Sequence, residues 1–312
     1  MHSARGPLLC AEGRSVSQTL LSGQLAVAAL ITAANYALIA VGLNLVYGTM
    51  RLLNVAHGDL VMLGGYSGYW LFTLLGLSPL LSIFLIAGFA GLFGVIVYRG
   101  LFRRMLLERR PTARIESNSL LMFFGLSIIL QNGAALLFTS TPRGYLYLDR
   151  VIALGNISLT GNRLAAAVVA VLIIGAVFLF LRWHPSGLAI RGLIEQREAA
   201  AIVGVNIDKV QTASFVVGFG SAAIAGTLIS MGNQVTPFMG FPFTIAAFVV
   251  VILGGLGNFG GGIVAAVILG LIETYGVAFT SSTWHSILLY GVFVAVLLFR
   301  PQGLFGRGKV AR

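Results

Sequence analysis

Along this chain the apolar residues come in unbroken runs rather than in alternating or amphipathic stripes. Many runs reach about 20 residues, the length an α-helix needs to cross the hydrocarbon core of a bilayer. They predict spans at about 21–46, 58–77, 79–98, 118–138, 164–182, 210–231, 243–254, 262–280 and 285–299. Segments of about ten residues with alternating polarity, the mark of a transmembrane β-barrel, do not occur. The pattern therefore predicts an all-α fold, a polytopic transmembrane helical bundle of eight or nine spans with broken or re-entrant helices. The count is eight if the short run 243–254 re-enters. Residues 1–20 read as a disordered lead-in, 21–306 as one transmembrane domain and 307–312 as a cytoplasmic tail.

Composition sharpens this picture. Of 312 residues, 58% are hydrophobic and 9% charged, against about 25% charged in a soluble domain. Forty glycines fit a bundle in lipid, where close approach of small residues supplies the packing. Gly64 and Gly68 have the four-residue spacing for it, and Gly262, Ala266 and Gly270 continue such a stripe over two turns. The lone Cys10 excludes a disulfide framework and a CxxC redox or metal motif.

The net charge of +11 could indicate nucleic acid, but its distribution indicates topology. Arg99, Arg103, Arg104, Arg109, Arg110 and Arg114 fall in one inter-span loop. Arg182, Arg191, Arg197 and Lys209 fall at a second, and Arg300, Arg307, Lys309 and Arg312 at the end. With Arg51, fifteen of the 20 Lys and Arg residues then lie on one side. Basic loops mark the cytoplasmic face, so the C-terminus is placed inside and the N-terminus outside, with no nucleic-acid partner.

Three polar islands interrupt the apolar runs: Asn54, His57 and Asp59; Gln131 and Asn132; and Glu273. Polar groups at such depth cost several kcal/mol unless paired or wet, which makes them candidates for a translocation path or gate. The stretch MRLLNVAHGDLVMLGGY (50–66) also has a structural reading, a helix break at the inner membrane face. Asn54 would cap the entering helix, Asp59 would meet the positive end of its dipole, and His57 would bond a freed carbonyl.

Two glycine motifs resemble nucleotide sites. Gly255-x-Gly257-x-x-Gly260 lacks the surrounding soluble βαβ pattern of a dinucleotide fold. It reads, with Gly254, as a close-packed turn between two spans. Gly303-x-x-x-x-Gly308-Lys309 is followed by Val310 rather than Ser or Thr, and no helix follows to receive a phosphate. No ATP site is expected on this chain. Nor is a catalytic residue or a metal site, since His2, His57, His184 and His285 lack partners at nucleophile or HExxH spacing. One Asp and one Glu are thin material for the proton relay of a secondary transporter.

The loop 183–209 is the one long polar segment with helical character. Pro185 and Gly187 halt the fifth span, and Ile190, Leu193, Ile194, Ala201, Ile202 and Val205 place apolar groups among Glu195, Arg197 and Glu198. Gly204 closes the segment as a helix C-terminus signal. It reads either as a solvated connector or as a helix that docks into a soluble partner.

Here the residues resemble a known family. Glu198-Ala199-Ala200-x-x-x-Gly204 is similar to the EAA motif of permease subunits of bacterial ABC importers, although the Ile and Leu-Pro that close the longer pattern are absent. Asn54-Val55-Ala56-His57-Gly58-Asp59 resembles a block of the branched-chain amino acid permeases, which typically ends in Glu. The segments AFVVVILGGLGNFGGGIVAAVILGLIE (247–273) and LLFRPQGLFG (297–306) resemble their counterparts there. Permeases for urea and short-chain amides share these blocks.

The resemblance implies a translocation subunit of the bacterial inner membrane. It would pair with a homologous second permease, two cytoplasmic ATP-binding subunits that hold the ATP and Mg, and a periplasmic substrate-binding protein. Glu195, Glu198, Ala199, Ala200 and Gly204 would couple it to the ATPases.

Overall fold

The computed structural model describes residues 23–107, 112–154, 157–280, 284–299 and 303–305. The lead-in with Cys10, the tail 307–312, and Arg109, Arg110 and Arg300 lie outside the described residues. In chain order the helices are α1 (Gly23–Met50), α2 (His57–Leu75), α3 (Pro79–Val97), α4 (Arg103–Leu107), α5 (Thr112–Phe138) and α6 (Gly161–Trp183). They continue with α7 (Pro185–Glu195), α8 (Arg197–Ile202), α9 (Ile207–Ser230), α10 (Gly240–Gly254), α11 (Phe259–Phe279) and α12 (His285–Phe299). One antiparallel hairpin, β1 (Val151–Leu154) with β2 (Ile157–Thr160), sets Val151 opposite Thr160, a departure from an all-α reading.

Local chemistry sets the ends. Ser78 accepts the Leu81 N–H and Pro79 occupies the first turn of α3, where a missing N–H costs nothing. Asn206 and Asn258 cap α9 and α11 in the same way, accepting from Lys209 and Gly261. Gly76 ends α2 at φ 66°. A π-helical turn, Tyr98–Phe102, carries α3 straight into α4, so Arg99, Arg103 and Arg104 ride on helix rather than on an open loop.

Among the described residues six helices are long and apolar enough to cross a bilayer: α1, α3 continued through Leu106, α5, α6, α9 and α11. The other apolar helices are shorter. At about 1.5 Å per residue, the 15 residues of α10 cover about 22 Å. The eight or nine stretches read from hydropathy correspond, among the described residues, to six such helices, the short α10 and α12, and the 19-residue α2.

Helix α9 is the axis of the bundle and packs against α1, α2 and α3. Backbone meets backbone there. A Cβ at Gly64 would fall on the Ala223 carbonyl, one at Gly226 on the Val61 carbonyl, and one at Gly68 2.8 Å from Thr227 Cγ2. The stripe Gly262, Ala266, Gly270 faces α1, with a Cβ at Gly270 landing 2.8 Å from the Ala29 carbonyl oxygen. Aromatic rings fasten α5 to the same axis, Phe102 stacking on Phe123 at 4.4 Å and Phe123 on Phe215 at 6.4 Å.

Candidate functional site: two helix starts inside the bundle, and a lever at one end

Arg51 follows α1 in the left-handed region at φ 58°, an uncommon conformation for a residue with a side chain. It reverses the chain. Residues 52–56 then run back alongside α1 until His57 Nε2 reaches the Ile39 carbonyl at 2.9 Å. Ile39 lies eleven residues before Met50, about 16 Å at 1.5 Å per residue. Five or six extended residues, at about 3.3 Å each, can climb that far. The break before α2 therefore sits beside the middle of α1, not at the inner membrane face.

A second helix starts at the same level. Gly240, the first residue of α10, meets Gly58 so closely that a Cβ on Gly58 would fall on the Gly240 carbonyl. A Cβ on Gly240 would lie 2.7 Å from Asp59 Oδ1 and 2.8 Å from the Gly58 carbonyl oxygen. Thr244 joins the two elements. Its hydroxyl accepts the Gly58 N–H at 2.9 Å and donates to the Val55 carbonyl at 3.1 Å. The amino ends of α2 and α10 thus converge inside the bundle, each carrying the partial positive charge of a helix start.

The polar islands assemble around this point, with changed roles. Asp59 is 1% exposed. Its Oδ2 accepts the Ser127 hydroxyl and its Oδ1 the Gln131 amide at 2.9 Å, both from α5. Asp59 thereby joins two islands that lie some 70 residues apart in sequence. Asn54 is fully buried but caps nothing: the residue before α2 is Ala56, without a side-chain cap, and neither amide atom of Asn54 has a partner. The Ile39 carbonyl can only accept, so His57 Nε2 carries the proton and Nδ1 is left as a buried acceptor without a partner.

Asn132 takes no part; it is exposed and donates to the Ile128 carbonyl of its own helix. Glu273 accepts the Tyr36 hydroxyl, one turn of α1 from Ile39. Ser127, Thr244 and Tyr36 carry no signal in the sequence, because hydroxyl groups are ordinary in apolar helices.

At the far end of α1 the loop 183–209 forms two helices. Pro185 opens α7 rather than merely ending the span, and His184 Nδ1 accepts the Ser186 N–H at 3.2 Å. Extended Gln196 separates α7 from α8. Ile190, Leu193 and Ala200 are buried with Leu45, Leu181 and Val210. Ala201 is exposed, and Ile202 and Val203 are exposed at 86% and 77%. Glu195, Glu198, Ala199 and Gly204, at φ 84°, are exposed as well. The segment has one anchored face and one bare apolar tip.

The glycine turn 254–260 is a second place where this segment touches the bundle. Gly254 and Gly261 meet backbone to backbone, and Gly255 and Gly257 adopt φ 91° and 83°. A Cβ on Gly257 would lie 2.9 Å from Ile194 Cγ2, and one on Gly48 3.1 Å from Ile194 Cδ1. Gly260 is exposed and has room, its nearest neighbour 3.7 Å away.

Asn44 of α1 is 2% exposed and holds the turn with both amide atoms. It accepts the Gly257 N–H at 2.8 Å and donates to the Asn258 carbonyl at 3.1 Å. Residues 303–305 close the knot, with Leu304 N–H on the Leu253 carbonyl at 2.6 Å and Asn258 Nδ2 on the Phe305 carbonyl at 3.2 Å. Asn44 stands alone as an amide within an apolar run, and nothing local in the sequence marks its partners 213 and 214 positions away.

Comparison with known proteins agrees with this architecture. LivH, the high-affinity branched-chain amino acid transport system permease protein of Salmonella typhimurium, is 29% identical over 301 residues, covering 89% of this chain and 93% of its own. BraD, the protein of the same description in Pseudomonas aeruginosa, is 30% identical over 298 residues, covering 91% and 95%. A probable branched-chain amino acid transport permease protein LivH of Methanocaldococcus jannaschii is 27% identical over 282 residues, covering 86% and 88%. No solved structure matches the chain. The family described as branched-chain amino acid transport system, permease component, matches residues 25–297, nearly everything from the first described helix to the last, and this multi-pass membrane protein belongs to that family.

Proposed function

We propose that this chain is the translocation subunit of an ATP-driven importer that carries branched-chain amino acids from the periplasm to the cytoplasm by alternating access. The relatives are named for that cargo. The observation that carries the mechanism is the α7–α8 lever, whose buried face grips the bundle while Ile202 and Val203 stand bare. An apolar tip of this kind calls for a partner. A pair of cytoplasmic ATP-binding subunits fits it, with ATP and Mg bound there. Closure of those subunits would push α7 against Gly257 and Gly48 and so move α1 against α10 and α11.

In this reading the helix starts of α2 and α10 lie on the path, and Asp59, Gln131 and Glu273 line or gate it. A homologous second permease completes the pore, and a periplasmic binding protein delivers the cargo. The N-terminus faces the periplasm and the C-terminus the cytoplasm of the inner membrane.

The test is co-purification followed by reconstitution. The chain should bring down ATP-binding subunits, and the complex should take up leucine in the presence of ATP. Charge reversal at Glu198 or a leucine at Gly204 should lower uptake at least about tenfold while ATP hydrolysis persists. Undiminished uptake in both variants removes the lever assignment, and uptake of urea in place of leucine reassigns the cargo.

A further inference from the structure

We infer that the meeting point of α2 and α10 is a subsite for the charged backbone of an α-amino acid. Asp59 takes the ammonium group, and Asn54 with the two helix starts takes the carboxylate. The inference rests on the importer reading and assigns the groups that recognise the cargo.

The first observation is the state of Asp59. A carboxylate in a low-dielectric interior needs a cation or several donors. Asp59 has two neutral donors, Ser127 and Gln131. Arg103 and Asp208, by contrast, form an ion pair at the first turn of α9. A permanent structural role would be served by a fixed Lys or Arg beside it. An ammonium group that comes and goes needs the carboxylate without one.

The second observation is independent. Asn54 is 0% exposed, with neither its carbonyl nor its amino group bonded. Each buried polar group left unmade costs about 1–3 kcal/mol, so a leucine of nearly the same volume would serve a purely structural position better. A polar side chain held unpartnered three residues before a helix start is available to a ligand.

The third is the field. Two helix amino ends meet through Gly58 and Gly240, with the Thr244 hydroxyl and the Asp59 carboxylate against the contact. Half-helix starts inside a bundle favour an anionic group in membrane transporters. Positive helix ends beside a lone carboxylate match a zwitterion, and an uncharged amide or urea would leave Asp59 without its cation.

Entry needs a cover that moves, and α5, held to α9 through Phe123 and Phe215, is the helix that lies against Asp59. It reaches the site through hydrogen bonds from Ser127 and Gln131 to Asp59 and from the Leu53 N–H to Ser119 at 3.1 Å. An ammonium group has three donors. As α5 swings away, those donors replace the Ser127 and Gln131 bonds on the same carboxylate oxygens, so the carboxylate stays solvated by donors throughout.

The experiment uses the complete importer, with partner subunits and binding protein, in proteoliposomes supplied with leucine and ATP. Asp59→Asn keeps an acceptor for α5 but removes the charge, and should lower uptake at least about tenfold with the complex still assembled. Asp59→Glu restores the charge and should recover uptake. Asn54→Leu should lower uptake comparably, while the thermal stability of the complex stays level or rises.

Uptake within about twofold of wild type in Asp59→Asn, or no recovery in Asp59→Glu, overturns the inference. So does an Asn54→Leu complex whose stability falls together with its uptake. A wild-type complex that takes up no leucine overturns the importer reading and this inference with it, which tells the two failures apart.

Discussion

Replacing Asn44 should loosen the joint between lever and bundle. The side chain lies in α1, 2% exposed, and both amide atoms bond the backbone of the turn after α10. Asn44→Leu has nearly the same volume, so it removes two hydrogen bonds without opening a cavity. The Gly257 N–H then loses its partner, while the Asn258 carbonyl keeps the Gly262 N–H at 3.0 Å. A buried backbone group left unmade costs about 1–3 kcal/mol. Gly257 is only partly buried, so water recovers some of that, and with the weaker bond lost at Asn258 the total is about 1–3 kcal/mol.

That energy falls on a small joint. The same turn seats Ile194 of α7 and receives residues 303–305 through Leu304 and Phe305. Asn44→Leu should therefore lower the unfolding midpoint of the purified chain. In reconstituted vesicles it should reduce leucine taken up per ATP hydrolysed by at least about tenfold, because the lever then moves against a slack turn. Asn44→Asp keeps the acceptor for Gly257 but sets a second acceptor against the Asn258 carbonyl, and should be worse in both assays. If Asn44→Leu melts at the wild-type temperature and keeps its coupling ratio, the turn is not held by Asn44 and the joint does not transmit force.

Two further outcomes follow from the packing. Gly226→Val should destabilise the chain strongly, beyond the roughly 1–3 kcal/mol of ordinary overpacking. The Val61 carbonyl already occupies the place of the new Cβ, and a wild-type thermal melt in detergent would refute the close approach of α2 and α9. Arg103→Ala should cost at most about 1 kcal/mol, because Arg103 and Asp208 are 49% and 37% exposed in their ion pair at 3.0 Å. A larger loss of thermal stability would mean that the pair is less screened than its exposure implies.

Much of this protein could be read from residue order alone. Apolar runs located the helices, because length and hydropathy suffice to decide what enters lipid. Pro185 and Gly204 marked ends because capping acts over a few residues, and the four-residue stripes at Gly64 and Gly262 named faces that do pack closely. The motif at Glu198 named the segment that stands exposed.

Partnership and depth were decided elsewhere. Helix α9 and helix α5 have similar apolar composition, yet 72% of the α9 window is buried and 11% of the α5 window. Hydropathy cannot separate them, because protein interior and lipid are equally apolar solvents. Asp59 meets Ser127 across 68 positions, and Asn44 meets Gly257 across 213; neither pairing leaves a local trace. The stretch after Met50 reads the same whether it lies on the membrane surface or climbs beside α1. One left-handed residue, Arg51, and the backbone contact of Gly58 with Gly240 choose between those paths, and both are consequences of how distant helices close on one another.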